Sequence, residues 1–308
     1  MANRNRKRKG REVSGWLCLD KAVGQTSTAA VGSVKRLFGA AKVGHAGTLD
    51  PLASGILPIA FGDATKTVPF VQDSRKLYRF TVRWGVETDS DDSDGAVVAT
   101  SPDRPDRASI EARMADFVGE IMQRPPSFSA IKIDGNRAYD LAREGEVVEI
   151  EARPVVVHRF ELVEIPDADH AVFEAECGKG TYVRSLARDM GRALGVLGHV
   201  VALRRCAVGP FVEAKSVNLQ DLIKAREEGP ASDLDRFLLP VATALGALPE
   251  IAVGRNDAAE IMRGGSVLVR GGDAPIVSGT AQATLAGRTI AIGEIDQGEF
   301  HPRRVFRG

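Results

Sequence analysis

The stretch Val43-Gly44-His45-Ala46-Gly47-Thr48-Leu49-Asp50-Pro51-Leu52-Ala53-Ser54-Gly55 sets one carboxylate between glycine-rich turns and a proline. Such a segment makes a poor core and a good site. Gly44, Gly47 and Gly55 permit backbone conformations and close approaches that other residues resist, while Pro51 biases Asp50 towards extended backbone and removes an amide donor. Asp50 is therefore either a reactive carboxylate on a rigid loop or a helix cap with Pro51 at the first helical position. Gly55 and Pro58 leave room for little more than one turn of such a helix. The other side chains able to do chemistry are Lys21, His45, Tyr78, Lys132, Tyr182 and Arg184. Singly, each has a plain structural reading: His45 as a turn residue, Tyr78 as a core aromatic, Arg184 as a surface charge, Lys21 as the solvated end of a strand. No serine elbow, dinucleotide fingerprint or metal-ligand cluster competes with them, and Gly178-Lys179-Gly180-Thr181 lacks the first glycine of a phosphate loop.

Gly15 to Leu19 reads as a short buried strand ending at Asp20-Lys21. Ser27 can cap a helix whose apolar positions Val31, Val34, Leu37 and Phe38 keep helical spacing. Tyr78, Phe80, Val82, Trp84 and Val86 alternate with Arg79, Thr81, Arg83 and Gly85, the period of a half-buried strand. Glu87 to Gly95 is acidic but lacks the terminal glutamate of a calcium loop, and reads as a turn. Ile110, Met114, Phe117, Val118 and Ile121 share one helical face, ended by Arg124-Pro125-Pro126. The mixed polar segment from there to about Arg153 reads as a surface insertion with a short helix near Arg137 to Arg143. Phe173, Ala175 and Cys177 form a strand, and Thr181 is expected to cap a helix with Val183, Leu186, Ala187, Met190 and Leu194 inward. Tyr182, Arg184 and Arg188 fall near its start, where a cation gains nothing from the helix dipole and calls for an anionic partner. Beyond about Ala247, between Pro240 and Pro249 as linker and the C-terminus, a helix at 257–263 and short apolar runs predict a small β-rich domain.

The 308 residues suffice for one large and one small domain with a substantial core. Net charge is zero, yet residues 1–85 hold 15 Lys/Arg against 5 Asp/Glu, an excess that suits a phosphate-backbone partner. Residues 1–12, carrying the run Arg4 to Arg11, read as a basic disordered arm. Cys18, Cys177 and Cys206 have no paired spacing for zinc or disulfides, which points to a reducing cytoplasm. No apolar run is long enough for a membrane span, and no apolar core follows the basic N-terminus as in a signal peptide.

Together these segments match one pattern. Gly44 to Pro58 resembles the catalytic motif of the TruB family of tRNA pseudouridine synthases. Leu19-Asp20-Lys21, Ser74-Arg75-Lys76-Leu77-Tyr78, Thr88 to Gly95, Pro126 to Lys132 and Lys179 to Arg184 resemble further family segments in the same order. The likeness covers about Gly15 to Gly209 strongly. It implies an α+β pseudouridine synthase fold, with a mixed, mainly antiparallel central sheet flanked by helices in residues 13–246. It also implies a β-rich PUA-like RNA-binding domain in 249–308, and makes 125–153 an insertion that closes on the tRNA T-loop.

The resemblance implies Asp50 as nucleophile on uracil C6 or ribose C1′, Arg184 as its partner, and Tyr78 as the base-stacking residue and candidate carrier of the C5 proton. His45 would pack against the displaced loop, Tyr182 and Leu203 would line the base pocket, and Lys21 and Lys132 would support RNA phosphates or the site backbone. The isomerisation conserves atoms and oxidation state, so no cofactor or metal is expected. The implied partner is tRNA, with no membrane, no obligatory protein partner and a monomeric enzyme. Two other readings follow from the same residues: a guide-RNA-dependent relative, which the lack of dyskerin-like extensions disfavours, and an RNA-binding folding chaperone that leaves the carboxylate unused.

Overall fold

Strands of period two and strands that are apolar throughout meet in one sheet. In the computed structural model, residues 10–129, 150–269 and 278–306 are described, together with the backbone of 132–133 and 136–137. The first half of the chain forms β1 (Gly15–Lys21), α1 (Ser27–Phe38), β2 (Val43–His45), β3 (Ala53–Phe61), α2 (Val68–Asp73), β4 (Lys76–Trp84), β5 (Val86–Thr88), β6 (Val97–Thr100), α3 (Arg107–Met114) and β7 (Gly119–Gln123). The short pair β8 (Lys132–Ile133) and β9 (Asn136–Arg137) precedes the long hairpin of β10 (Arg153–Asp167) and β11 (His170–Cys177). There follow α4 (Val183–Ala193), β12 (Gly198–Val208), β13 (Phe211–Val212), β14 (Val217–Asn218) and α5 (Leu219–Glu228).

Among the described residues the main sheet has the order β14-β1-β3-β12-β4-β11-β10-β7, with β13 on β12 and β2 on β3. Only β1–β14 and β3–β12 pair in parallel, so the sheet is mixed and mainly antiparallel as expected. One face carries Phe80, Val82, Trp84 and Phe173, which are buried with Ala30, Val34 and Phe38 of α1 and Leu186 and Met190 of α4. Each such large side chain contributes about 1.5–3 kcal/mol on burial. Behind β1 and β3 the other face is also covered: Trp16, Cys18, Ile56 and Ala60 pack with Ala64, Val71 and Phe211. Burial on both faces explains why β1 reads as a continuous apolar run.

Several local expectations shift. The cap of α1 is Thr26, whose side chain accepts from Ala29 N, and Ser27 lies one residue inside. The cap of α4 is Tyr182 with no side-chain cap bond, while Thr181 points its hydroxyl at Val156 O. The helix expected through Ile121 stops at Met114, and after a single tight turn Ile121 lies in β7 paired with Val155. Gly119, at φ +97, turns the chain there, and pairing with β10 outweighs the helical spacing. Arg11, expected in the arm, hydrogen-bonds Asp235 through both terminal nitrogens at 2.7 Å. Residues 1–9 lie outside the described residues. Of the helix expected at 137–143, Arg137 is in β9 and the rest lies outside the described residues.

The C-terminal part is β-rich and PUA-like: β15 (Glu250–Ala252), α6 (Arg255–Met262), β16 (Val267–Leu268), β17 (Gly279–Leu285), β18 (Arg288–Asp296) and β19 (Glu299–Val305), in the order β15-β17-β18-β19-β16. Ala286-Gly287 and Gln297-Gly298 close its hairpins with positive φ at both positions of each pair, the geometry of turns matched to strand twist. Its core joins Ile251, Ile261, Ala283, Ile295 and Phe300. Leu245 of the Pro240–Pro249 segment is buried with Ile292 and Phe306. Among the described residues no helix is long and apolar enough to cross a membrane.

Candidate active site

One rung of the main sheet carries the site. Lys21 on β1 pairs with Gly55 on β3, Gly55 with Arg205 on β12, and Arg205 with Tyr78 on β4. Paired residues share a face, so three chemically active side chains stand in a row with a gap at Gly55. That gap is obligatory: a Cβ there would meet Arg205 O at 2.2 Å, and its φ is +102. Leu203, two residues before Arg205, lies on the same face opposite Phe80.

The Asp50 loop hangs above this rung, and its carbonyls are tied down almost without interruption. Arg205 is buried and donates to Gly47 O at 3.1 Å, Thr48 O at 3.2 Å and Ile56 O at 2.7 Å. The Ser27 hydroxyl donates to Leu49 O at 3.0 Å and accepts from Leu49 N at 2.8 Å. Asp50 O accepts from Ala53 N and Pro51 O from Gly24 N. Lys21, also buried, gives its ammonium to Ala22 O, Gln25 O and Ala53 O. Burial pushes its pKa down to about 8 against the attraction of Asp50. Pro51 starts a turn that runs into β3 at Ala53, so Asp50 caps no helix.

Arg184 connects this loop to α4. Its guanidinium lies 3.0 Å from Asp50 Oδ2 and 3.1 Å from Asp92 Oδ2, and donates at 2.9 Å to Ser90 O and to Phe128 O. The Asp50 side chain is 38% exposed while those of Arg184 and Asp92 are 5% exposed, so one carboxylate faces outward from a buried network. Arg188, one turn on, pairs with Asp91 at 2.8 Å, and burial raises the Asp91 carboxyl to about 6 despite Arg188 and Arg184. The acidic turn is thus the anionic partner that the start of α4 calls for.

Two tyrosines border Asp50. Burial raises the Tyr78 phenol, opposed by the Arg205 guanidinium, and burial likewise raises Tyr182, opposed by the Ser129 hydroxyl. Asp50 lies near enough to both to raise them further. The Gln123 side chain fixes Tyr182 by donating to its carbonyl at 3.1 Å and accepting from its N–H at 2.8 Å. His45 ends β2 beside the loop, its buried Nδ1 without a hydrogen-bond partner among the described residues, and desolvation lowers its pKa. The backbone of Lys132 lies in β8, and its side chain is outside the described residues. Sequence reasoning missed Arg205, Asp91, Asp92, Ser27 and Gln123 as site-building residues. Arg205 could have been sought beside Leu203, and the aspartates in the acidic turn once Arg184 and Arg188 demanded partners.

Residues 35–183 match the family model described as TruB family pseudouridylate synthase, N-terminal domain, and residues 184–246 match that of the tRNA pseudouridylate synthase B C-terminal domain. The chain belongs to the TruB family. The tRNA pseudouridine synthase B of Nitrobacter winogradskyi is 57% identical over 99% of this chain and 86% of its own length. That of Agrobacterium fabrum is 55% identical over 98% and 97%. Among solved structures, an H/ACA RNP bound to a substrate RNA containing 2'-deoxyuridine superposes with TM-score 0.74 at 25% identity, covering 96% of this chain and 85% of the other. A Cbf5-Nop10-Gar1 complex gives 0.73 at 27%, covering 94% and 84%. The two matched ranges contain Asp50, Asp91, Asp92, Arg184 and Arg205.

Proposed function

We propose that this chain isomerises uridine to pseudouridine at position 55, in the T-loop of tRNA, as a stand-alone cytoplasmic enzyme. The observation that carries the reading is the outward-facing Asp50 carboxylate held by buried Arg184 on a loop whose carbonyls are nearly all bonded. A preorganised nucleophile needs this rigidity, because each reactant held in attack geometry removes an entropic part of the barrier. The target base must leave its stack to reach it. Tyr78 stacks on the extruded uracil and moves the C5 proton, while Tyr182 and Leu203 line its pocket and His45 packs against the displaced loop. Lys21 serves the loop backbone rather than RNA phosphate, since its ammonium is spent on three carbonyls. Lys132 supports RNA phosphate from the 125–153 insertion.

The chemistry breaks the bond from C1′ to N1 and forms one from C1′ to C5, after attack of Asp50 on uracil C6 or ribose C1′. C5 loses a proton and N1 gains one. We assign catalysis to residues 13–246 and an auxiliary RNA contact to 249–308, where Arg303 and Arg304 are exposed. Purified protein incubated with unmodified tRNA and no cofactor is expected to convert the T-loop uridine in a base-resolved assay. Asp50→Asn is expected to bind tRNA and leave it unconverted. Normal turnover by Asp50→Asn removes the nucleophile assignment; binding without turnover by the wild type supports the chaperone reading instead.

A further inference from the structure

Arg205 is a buried guanidinium that, among the described residues, has no carboxylate partner. A buried charge without a counter-ion is costly, and fixed carbonyl dipoles offset only part of that cost. Three of its five N–H groups are taken by Gly47 O, Thr48 O and Ile56 O. Tyr78 stands directly opposite Arg205 on β4, on the same face of the sheet, and the positive charge of the guanidinium acts on its phenol against the effect of burial. The charged and titratable groups around Tyr78 are Arg205 on β12, Asp50 on the loop and Cys177 on β11. Around Arg205 stand Lys21 on β1, His45 on β2 and Lys76 on β4, each felt as a cation or imidazole in its field. Arg184 is committed to Asp50 and Asp92, so Arg205, the cross-strand partner of Tyr78, is the cation that bears on the phenol.

We propose that Arg205 is a positioning residue for proton transfer, fixing Tyr78 and stabilising its phenolate as the acceptor of the uracil C5 proton. The proposal rests on the pseudouridine-forming reading of the site. Once C5 is bonded to C1′, the C5–H bond breaks, its electron pair joins the uracil ring and its proton goes to the Tyr78 oxygen. The phenol formed gives a proton back to N1, so the phenolate is regenerated and no co-reactant is consumed. The same guanidinium holds the carbonyls that flank Asp50, which couples nucleophile and proton acceptor to one side chain.

The test reads both steps. Arg205→Lys is expected to bind tRNA but to slow single turnover by roughly 100-fold, the scale of one general base. With 5-deuterouridine at the target, a rate isotope effect should appear or grow in Arg205→Lys, and its pH–rate profile should move to higher pH. Placing 3,5-difluorotyrosine, a more acidic phenol, at position 78 should recover much of that rate. The same replacement in the wild type should move its profile to lower pH, a readout that survives if Arg205→Lys misfolds. Independently of turnover, Tyr139→Phe/Tyr182→Phe leaves Tyr78 as the one tyrosine of the chain, which has three. Its tyrosinate absorbance should rise at higher pH when Arg205→Lys is added. An unchanged tyrosinate titration, or a slowed enzyme with no isotope effect and no rescue, would overturn the proposal. Wild type that leaves tRNA unmodified overturns the functional reading, and the titration still decides whether Arg205 governs the phenol.

Discussion

Arg184 has to satisfy two carboxylates and two carbonyls with one planar group. A lysine offers a point charge without the fork, so Arg184→Lys cannot span Asp50 and Asp92 together. Losing charge-assisted bonds of about 1.5–3 kcal/mol predicts a single-turnover rate roughly 10- to 100-fold lower, with tRNA affinity little changed. An unchanged rate with weakened binding would make it a phosphate contact. Lys21 gives a prediction in pH. Its folded pKa of about 8 lies below its ordinary 10.5, so its contribution favours folding increasingly from about pH 8 to 10.5 and is lost as pH falls through about 8. Urea unfolding should therefore show wild type gaining stability relative to Lys21→Met between pH 7.5 and 10; a constant difference contradicts the assignment.

At the scale of elements, the loop and β3 explain which glycines matter. Gly55 meets Arg205 O at 2.2 Å once a Cβ is added, with φ of +102, whereas a Cβ on Gly44 meets nothing within 4 Å and its φ is ordinary. Gly55→Ala should cost more than about 2 kcal/mol in urea unfolding and nearly abolish activity, while Gly44→Ala should stay within about 1 kcal/mol. The elements most legible in the sequence were those whose pattern is decided locally: the alternating β4 and β11, the apolar β1 and the amphipathic α1 and α4. Val118 and Ile121 misled because helical spacing and a half-buried edge strand can share the same few apolar positions, and β10 supplies the partner that decides. Thr181 and Ser27 each missed the cap by one residue, within the range over which end geometry rather than residue type chooses.

For the whole molecule, zero net charge hides a basic first part and an acidic remainder. If tRNA binding follows phosphate contacts, affinity should fall steeply with salt, and Arg303→Glu/Arg304→Glu should weaken binding and reduce the salt slope by about 1–2. The single-turnover rate at saturating tRNA should stay unchanged, because these residues lie on β19 of the separate C-terminal sheet. A flat salt response would show that the charge asymmetry has no part in binding. The buried Arg184–Asp92 and Arg188–Asp91 pairs add a further property at this scale, since breaking one leaves an uncompensated charge and costs more than the pair itself contributes.

The sequence by itself determined the candidate residues, the strands with strict alternation, and the rigidity of the Asp50 segment, because propensity, glycine freedom and proline geometry act over a few neighbours. It also determined, through the order of its motifs, the family to which those residues belong. Only the tertiary structure decided that Pro51 opens a turn rather than a helix, that Lys21 is a buried strut, that the acidic turn answers Arg184 and Arg188, and that Arg205 stands between the Asp50 loop and Tyr78. Apart from the Pro51 turn, those relations join residues distant in the chain, 32 positions for Lys21 and Ala53, 92 and 97 for the two ion pairs and 158 for Arg205 and Gly47, and no local pattern encodes which strands will be neighbours.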